Sequence, residues 1–139
     1  MTPTLPLIIA SIVAFLQFAA HSFLFVFAKP ANGPEEIAVI EQMKAHRFKF
    51  VNSMRSYWEM YFGYGLQAAF FCLLEAILFF IFVTVPSSEF HIIQPIIIVF
   101  FIANLGHIFL ARKYFFITPI IPDVIIAICL ALSVVTAAA

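Results

Sequence analysis

Four long apolar stretches, separated by short polar breaks, leave this chain little choice but to fold inside a lipid bilayer. A hydrocarbon core about 30 Å thick is crossed by roughly 20 helical residues, and within it each backbone N–H and C=O must be satisfied inside its own segment. The stretches run approximately over residues 5–28, 56–85, 92–111 and 114–139. Only 10% of the 139 residues are charged and 65% are hydrophobic, whereas soluble domains carry about 25% charged residues. The expected fold is all-α, an integral membrane four-helix bundle in which residues 1–139 form a single transmembrane domain. The 7 acidic and 7 basic side chains cancel. With no net basic field, no nucleic-acid partner is expected.

Turn chemistry sets the limits of the stretches. Lys29-Pro30-Ala31-Asn32-Gly33-Pro34 stops the first and Pro86-Ser87-Ser88 separates the second from the third. Pro95 falls in the first turn of the third span, where a missing N–H costs little. Pro119 and Pro122 interrupt the start of the fourth, which predicts a continuous helix from Pro122 and an irregular or kinked run over Tyr114–Ile121. Between spans one and two, residues 35–50 place Ile37, Ile40, Met43 and Phe48 near helical spacing among charged residues. This pattern predicts a short amphipathic helix on the cytoplasmic membrane surface, acidic at its start and basic toward its end. Met1 to Leu5 lacks Lys and Arg, and the apolar run after it is too long for a secretory h-region, so the first span is expected to be retained.

Basic residues set the expected orientation. Lys29, Lys44, Arg47, Lys49 and Arg55 lie between spans one and two, and Arg112 and Lys113 lie between spans three and four. In a four-span chain these segments share a side, and the positive-inside rule makes it the cytoplasm, with both termini outside. Tyr57, Trp58, Tyr61, Tyr64 and Tyr114 gather at the same boundary as an aromatic belt would. The expected location is a bacterial inner (cytoplasmic) membrane. A short echo, Ala20-His21-Ser22-Phe23-Leu24 against Gly106-His107-Ile108-Phe109-Leu110, hints at a parallel duplicated hairpin.

Ionisable groups inside spans are costly and usually face the bundle interior. Counted along the helices, His21, Glu59, His107 and Asp123 fall in the cytoplasmic third of the membrane, one from each span. As a set they fit a transition-metal site, or an acid and base exchanging protons; His21 and His107 alone fit a haem ligated from opposite helices. None has the ExxH or HxxxH spacing of bundle metal sites. A structural reading competes with all three. In it Glu59 pairs with Arg55 at i, i+4, Asp123 caps its helix or meets Arg112 or Lys113, and the histidines bond across helices.

Glu75 is expected apart from this layer, nearer the outer face, with Gln67 and Gln94 as candidate neighbours. Gln17 with His21, and Asn104 with His107, share helix faces that should point inward. Cys72 and Cys129 read as small buried hydrophobes. The 19 Phe residues would suit a groove for an acyl chain, a quinone or a pigment. Gly63-Tyr64-Gly65 lacks the spacing of a GxxxG dimer face.

The run His46-Arg47-Phe48-Lys49-Phe50, followed by Arg55-Ser56-Tyr57-Trp58-Glu59-Met60-Tyr61-Phe62-Gly63-Tyr64-Gly65-Leu66, resembles a family of small four-span bacterial membrane proteins of uncharacterised activity. In that family an Arg-Ser/Thr-Tyr-Trp-Asp/Glu block opens the second helix. Arg112-Lys113-Tyr114-Phe115-Phe116 and Pro119 resemble the same family's approach to its last helix. Size and span count are also similar to the DoxX-like proteins. The resemblance implies fold and topology, and it singles out Arg55, Tyr57, Trp58 and Glu59. Together with Arg112 and Lys113, the first three form a candidate headgroup interface.

With no nucleotide loop or strong catalytic motif in view, the function expected first is that of a nonenzymatic accessory or scaffold subunit. Its partners would be membrane lipid and other membrane subunits or copies of itself, and its ligand a lipid, quinone or pigment. The alternative is an intramembrane enzyme or small transporter using Glu59, His107, Asp123 and His21.

Overall fold

A computed structural model describes residues 2–30 and 32–137. Ala31 of the first polar break, and Ala138 and Ala139 at the end of the fourth expected span, lie outside the described residues.

The backbone rule for apolar solvent is met by four helices long and apolar enough to cross a membrane. The first is α1, Thr4–His21, which runs on through a π-helical turn at Ser22–Val26. The short helix α2 follows at Pro34–Ala45, then strands β1, Arg47–Phe50, and β2, Ser53–Ser56. The remaining helices are α3, Tyr57–Val83; α4, Phe90–Tyr114, preceded by a 3-10 turn at Ser87–Glu89; and α5, Ile120–Ala137. A third or less of each apolar window is buried, with 33% in α5 the highest share. Most of the apolar surface therefore faces outward, where an aqueous surface would not tolerate it.

The chain divides into two compact units, Met1–Phe18 with Cys72–Ala139, and Ala19–Phe71. The first holds a core drawn from four helices. Leu7, Ala10 and Ala14 of α1 meet Ala76, Phe79 and Phe82 of α3, Phe90, Ile93 and Ile97 of α4, and Ile126, Cys129 and Leu130 of α5. Alanines on α1 and α3 let the helices approach, and the Phe79 ring fills the gap edge-on to Phe100, centroids 5.3 Å apart. Ser11 Oγ donates to the Ala76 carbonyl at 2.8 Å, one polar tie in this apolar layer.

The second unit departs from the sequence expectation. The surface helix predicted over 35–50 ends at Ala45, so the fold is not purely helical. From Arg47 the chain turns into an antiparallel hairpin that pairs Arg47 with Ser56, Phe48 with Arg55, Lys49 with Met54 and Phe50 with Ser53. The Arg-Phe-Lys-Phe alternation puts Phe48 and Phe50 on one face, and Phe48 packs 4.8 Å from Tyr57. The two-residue turn puts Val51 at φ 54°. A β-branched residue is strained in this left-handed region, where hairpin turns normally place Gly or Asn. No residue of α2 is buried, though Glu35, Glu36 and Lys44 sit where the helix dipole favours them.

Two boundaries also moved. α4 starts at Phe90 rather than 92, which places Pro95 beyond the first turn. α5 starts at Ile120 rather than Pro122, because Pro122 fits within a first turn whose N–H groups need no helical partner.

Candidate functional site

Within the first unit, Asp123 is met directly by one polar side chain, and two more from other helices stand within electrostatic reach of it. Asp123 lies in the first turn of α5 and is 4% exposed. Gln17 of α1 donates from Nε2 to Asp123 Oδ1 at 2.9 Å. His107 of α4 and Glu75 of α3 both stand within electrostatic reach of Asp123. The Gln17 Oε1 atom is buried and has no hydrogen-bond partner among the described residues.

This grouping revises the expected layer. Asp123 and His107 belong to it, but α1 contributes Gln17, and α3 contributes Glu75, which had been expected apart near the outer face. The partner of Asp123 is Gln17, not Arg112 or Lys113. Lys113 instead lies over the Tyr114 ring, 5.1 Å from its centroid. Of the face shared by Asn104 and His107, Asn104 is buried and bonds back to the Phe100 carbonyl at 3.0 Å, while His107 is exposed. His107 makes no hydrogen bond among the described residues.

Within the second unit, His21 and Glu59 have separate structural employment. His21 Nε2 lies 3.1 Å from the Gly65 carbonyl, which can only accept, so Nε2 carries the proton. The ring stacks on Phe25 at 5.7 Å. A Cβ at Gly65 would meet Val26 Cγ2 at 3.3 Å, so Gly65 serves a close approach within the chain.

Glu59 closes a reciprocal cap on α3. The Glu59 N–H donates to Ser56 Oγ at 3.1 Å, and the Ser56 N–H donates to Glu59 Oε2 at 2.8 Å. Arg47 Nη2 then pairs with Glu59 Oε1 at 3.2 Å. The expected Arg55–Glu59 pair does not form, because Arg55 is on β2 and lacks helical i, i+4 geometry. Its Nη1 donates to the Met54 carbonyl at 3.1 Å. The Ser-x-x-Glu spacing over Ser56–Glu59 is the sequence signal of this cap.

The headgroup candidates lie around this cap. Tyr57 is exposed, and Trp58 is half-buried beneath the Lys44 ammonium, 5.3 Å from its ring centroid. Phe50, Arg55, Glu59, Met60, Gly63, Tyr64 and Gln67 enclose an open groove of about 310 Å³.

The first unit has its own groove, about 360 Å³, between α1 and α3. Ser11, Ile12, Phe15, Leu16, Leu73, Ala76, Ile77 and Phe80 line it. The only polar side chain there, Ser11, is engaged with Ala76.

Among the described residues, no three His, Cys, Asp or Glu side chains are arranged to hold a metal ion. Compared with family models, curated proteins and solved structures, the chain gives no significant match.

Proposed function

We propose that this chain is a nonenzymatic integral membrane protein of the bacterial inner membrane, an accessory or scaffold subunit that carries bound lipid. The observation that carries this reading is the prior commitment of three of the four side chains a catalyst would need, all but His107. Glu59 is held by the Ser56 cap and Arg47, and His21 by the Gly65 carbonyl. Asp123 accepts from Gln17. The unfilled space, by contrast, includes an apolar groove along α1 and α3 suited to an acyl chain or another apolar ligand. In this reading the basic segments around the hairpin and after α4 face the cytoplasm, with both termini outside.

A second reading has one observation in its favour. The buried Gln17 Oε1, unpartnered among the described residues, on an amide bonded to Asp123, with Glu75 and His107 within electrostatic reach of that carboxyl, is what a proton-exchanging site in a small transporter or intramembrane enzyme would contain.

Purification from native membranes at native expression level separates the two. Native mass spectrometry, elemental analysis and an optical spectrum of the product are the readouts. Stoichiometric partner subunits with retained lipid support the accessory reading. A lone oligomer whose reconstituted vesicles take up protons, with the uptake lost in Asp123→Asn, supports the second and overturns the first.

A further inference from the structure

The groove beside the α3 cap differs in chemistry from the apolar one, and the difference bears on which lipid it takes. One wall is the face of the hairpin that carries Phe50 and Arg55, diagonal across the two strands on the same side of the ribbon. The other is a stripe of α3 on which Glu59, Gly63 and Gln67 recur every four residues. A cation and an anion thus share one opening. Arg55 makes no ion pair among the described residues, and its bond to the Met54 carbonyl leaves most of its N–H donors unused. Glu59 accepts two bonds, yet its carboxylate is 40% exposed and retains lone pairs toward the groove.

Depth fits a phospholipid as well. From Glu59 to Gln67 the stripe spans about 12 Å, which carries a ligand from the level of the charged groups into the start of the hydrocarbon. Tyr57, Tyr61 and Tyr64, all more than half exposed, mark the same turns as interfacial. At Gly63 a Cβ would meet nothing within 4 Å, so the missing side chain leaves open floor between the two ends.

We propose that this groove binds a phosphatidylethanolamine-class lipid, its phosphate on Arg55 and its primary ammonium on Glu59, with the Gln67 amide at the level of the ester carbonyls. The proposal rests on the lipid-carrying reading above and deepens it. Charge selects the headgroup. A primary ammonium donates charge-assisted N–H bonds to a carboxylate. A choline has no N–H to donate, and a phosphatidylglycerol has no ammonium to meet the Glu59 carboxylate.

The test uses the full chain, delipidated in detergent and offered phosphatidylethanolamine, phosphatidylcholine or phosphatidylglycerol with matched acyl chains, read by native mass spectrometry. The expected result is a preference of roughly tenfold for the ethanolamine lipid over the choline lipid, as a charge-assisted bond implies. Glu59→Gln, which keeps an oxygen for the cap, should flatten that preference. Arg55→Gln should weaken retention of the ethanolamine lipid. Gly63→Phe should remove the selective fraction while helical content and thermal unfolding stay unchanged. Equal retention of all three lipids, a preference for phosphatidylglycerol, or selectivity that survives both Gly63→Phe and Arg55→Gln overturns the groove assignment and leaves the lipid-carrying reading standing. Failure to retain any phospholipid overturns both.

Discussion

Replacing Ser56 with Ala removes the hydroxyl that receives the Glu59 N–H, and it tests how the second unit is tied together. Ser56 is 3% exposed, so water cannot readily take the hydroxyl's place. Loss of a Ser cap costs about 1 kcal/mol, which is about a fivefold increase in local opening. Glu59→Ala removes the reciprocal bond and also the pair with Arg47. That pair is 54% and 40% exposed on its two sides, so solvent screens it and its loss adds less than about 1 kcal/mol. Hydrogen–deuterium exchange of the first turn of α3, in nanodiscs, reads these openings directly. The expected order is Glu59→Ala fastest, Ser56→Ala about fivefold above the parent, Arg47→Ala slightly above it and Arg55→Ala equal to it. An Arg55→Ala effect as large as that of Ser56→Ala, or no effect of Ser56→Ala, would refute the cap and restore an Arg55–Glu59 pair.

The core of the first unit predicts a contrast on one helix. Phe79→Ala opens a cavity at a site with 0% exposure and should cost about 3 kcal/mol, whereas Phe80→Ala, 63% exposed, should cost under about 1 kcal/mol in detergent unfolding titrations. Val51→Gly relieves the φ 54° strain without losing packing, since Val51 is 76% exposed, and should protect the hairpin amides from exchange by about 1 kcal/mol. Asp123→Asn keeps an acceptor for Gln17 Nε2 and supplies a donor for the unpaired Gln17 Oε1. It should hold or raise the unfolding midpoint, while Asp123→Leu, which leaves both Gln17 groups unpaired, should lower it by about 1 kcal/mol.

The helices were legible because length and hydropathy over twenty residues carry an unambiguous physical demand. The hairpin was not. Ile37, Ile40, Met43 and Phe48 satisfy a helical period, and the two-residue alternation of Phe48 and Phe50 is too short to outweigh it. Val51-Asn52 also lacks the glycine that usually announces a turn.

The polar grouping was half legible for a related reason. Counting residues fixes height along a straight span, which sets Asp123 and His107 at similar depth, and the two stand within electrostatic reach of each other. Counting along α3 from Ser56 sets Glu75 far from Asp123, whereas the two stand within electrostatic reach of each other. The rotational face of His107 could not be counted at all. It depends on how α4 packs against α5, which a sequence of nearly uniform hydrophobicity does not encode.

The central proposal is that the four long apolar helices cross a membrane, so that the segments joining them alternate sides. With Cys72 and Cys129 replaced by Ala, single cysteines at Asn52, Ile117 and Ser87 can be labelled in sealed, oriented membrane vesicles by a reagent that does not permeate. The account predicts that Asn52→Cys and Ile117→Cys react only from the cytoplasmic side, and Ser87→Cys only from the opposite side. Labelling of all three from the same side would contradict it.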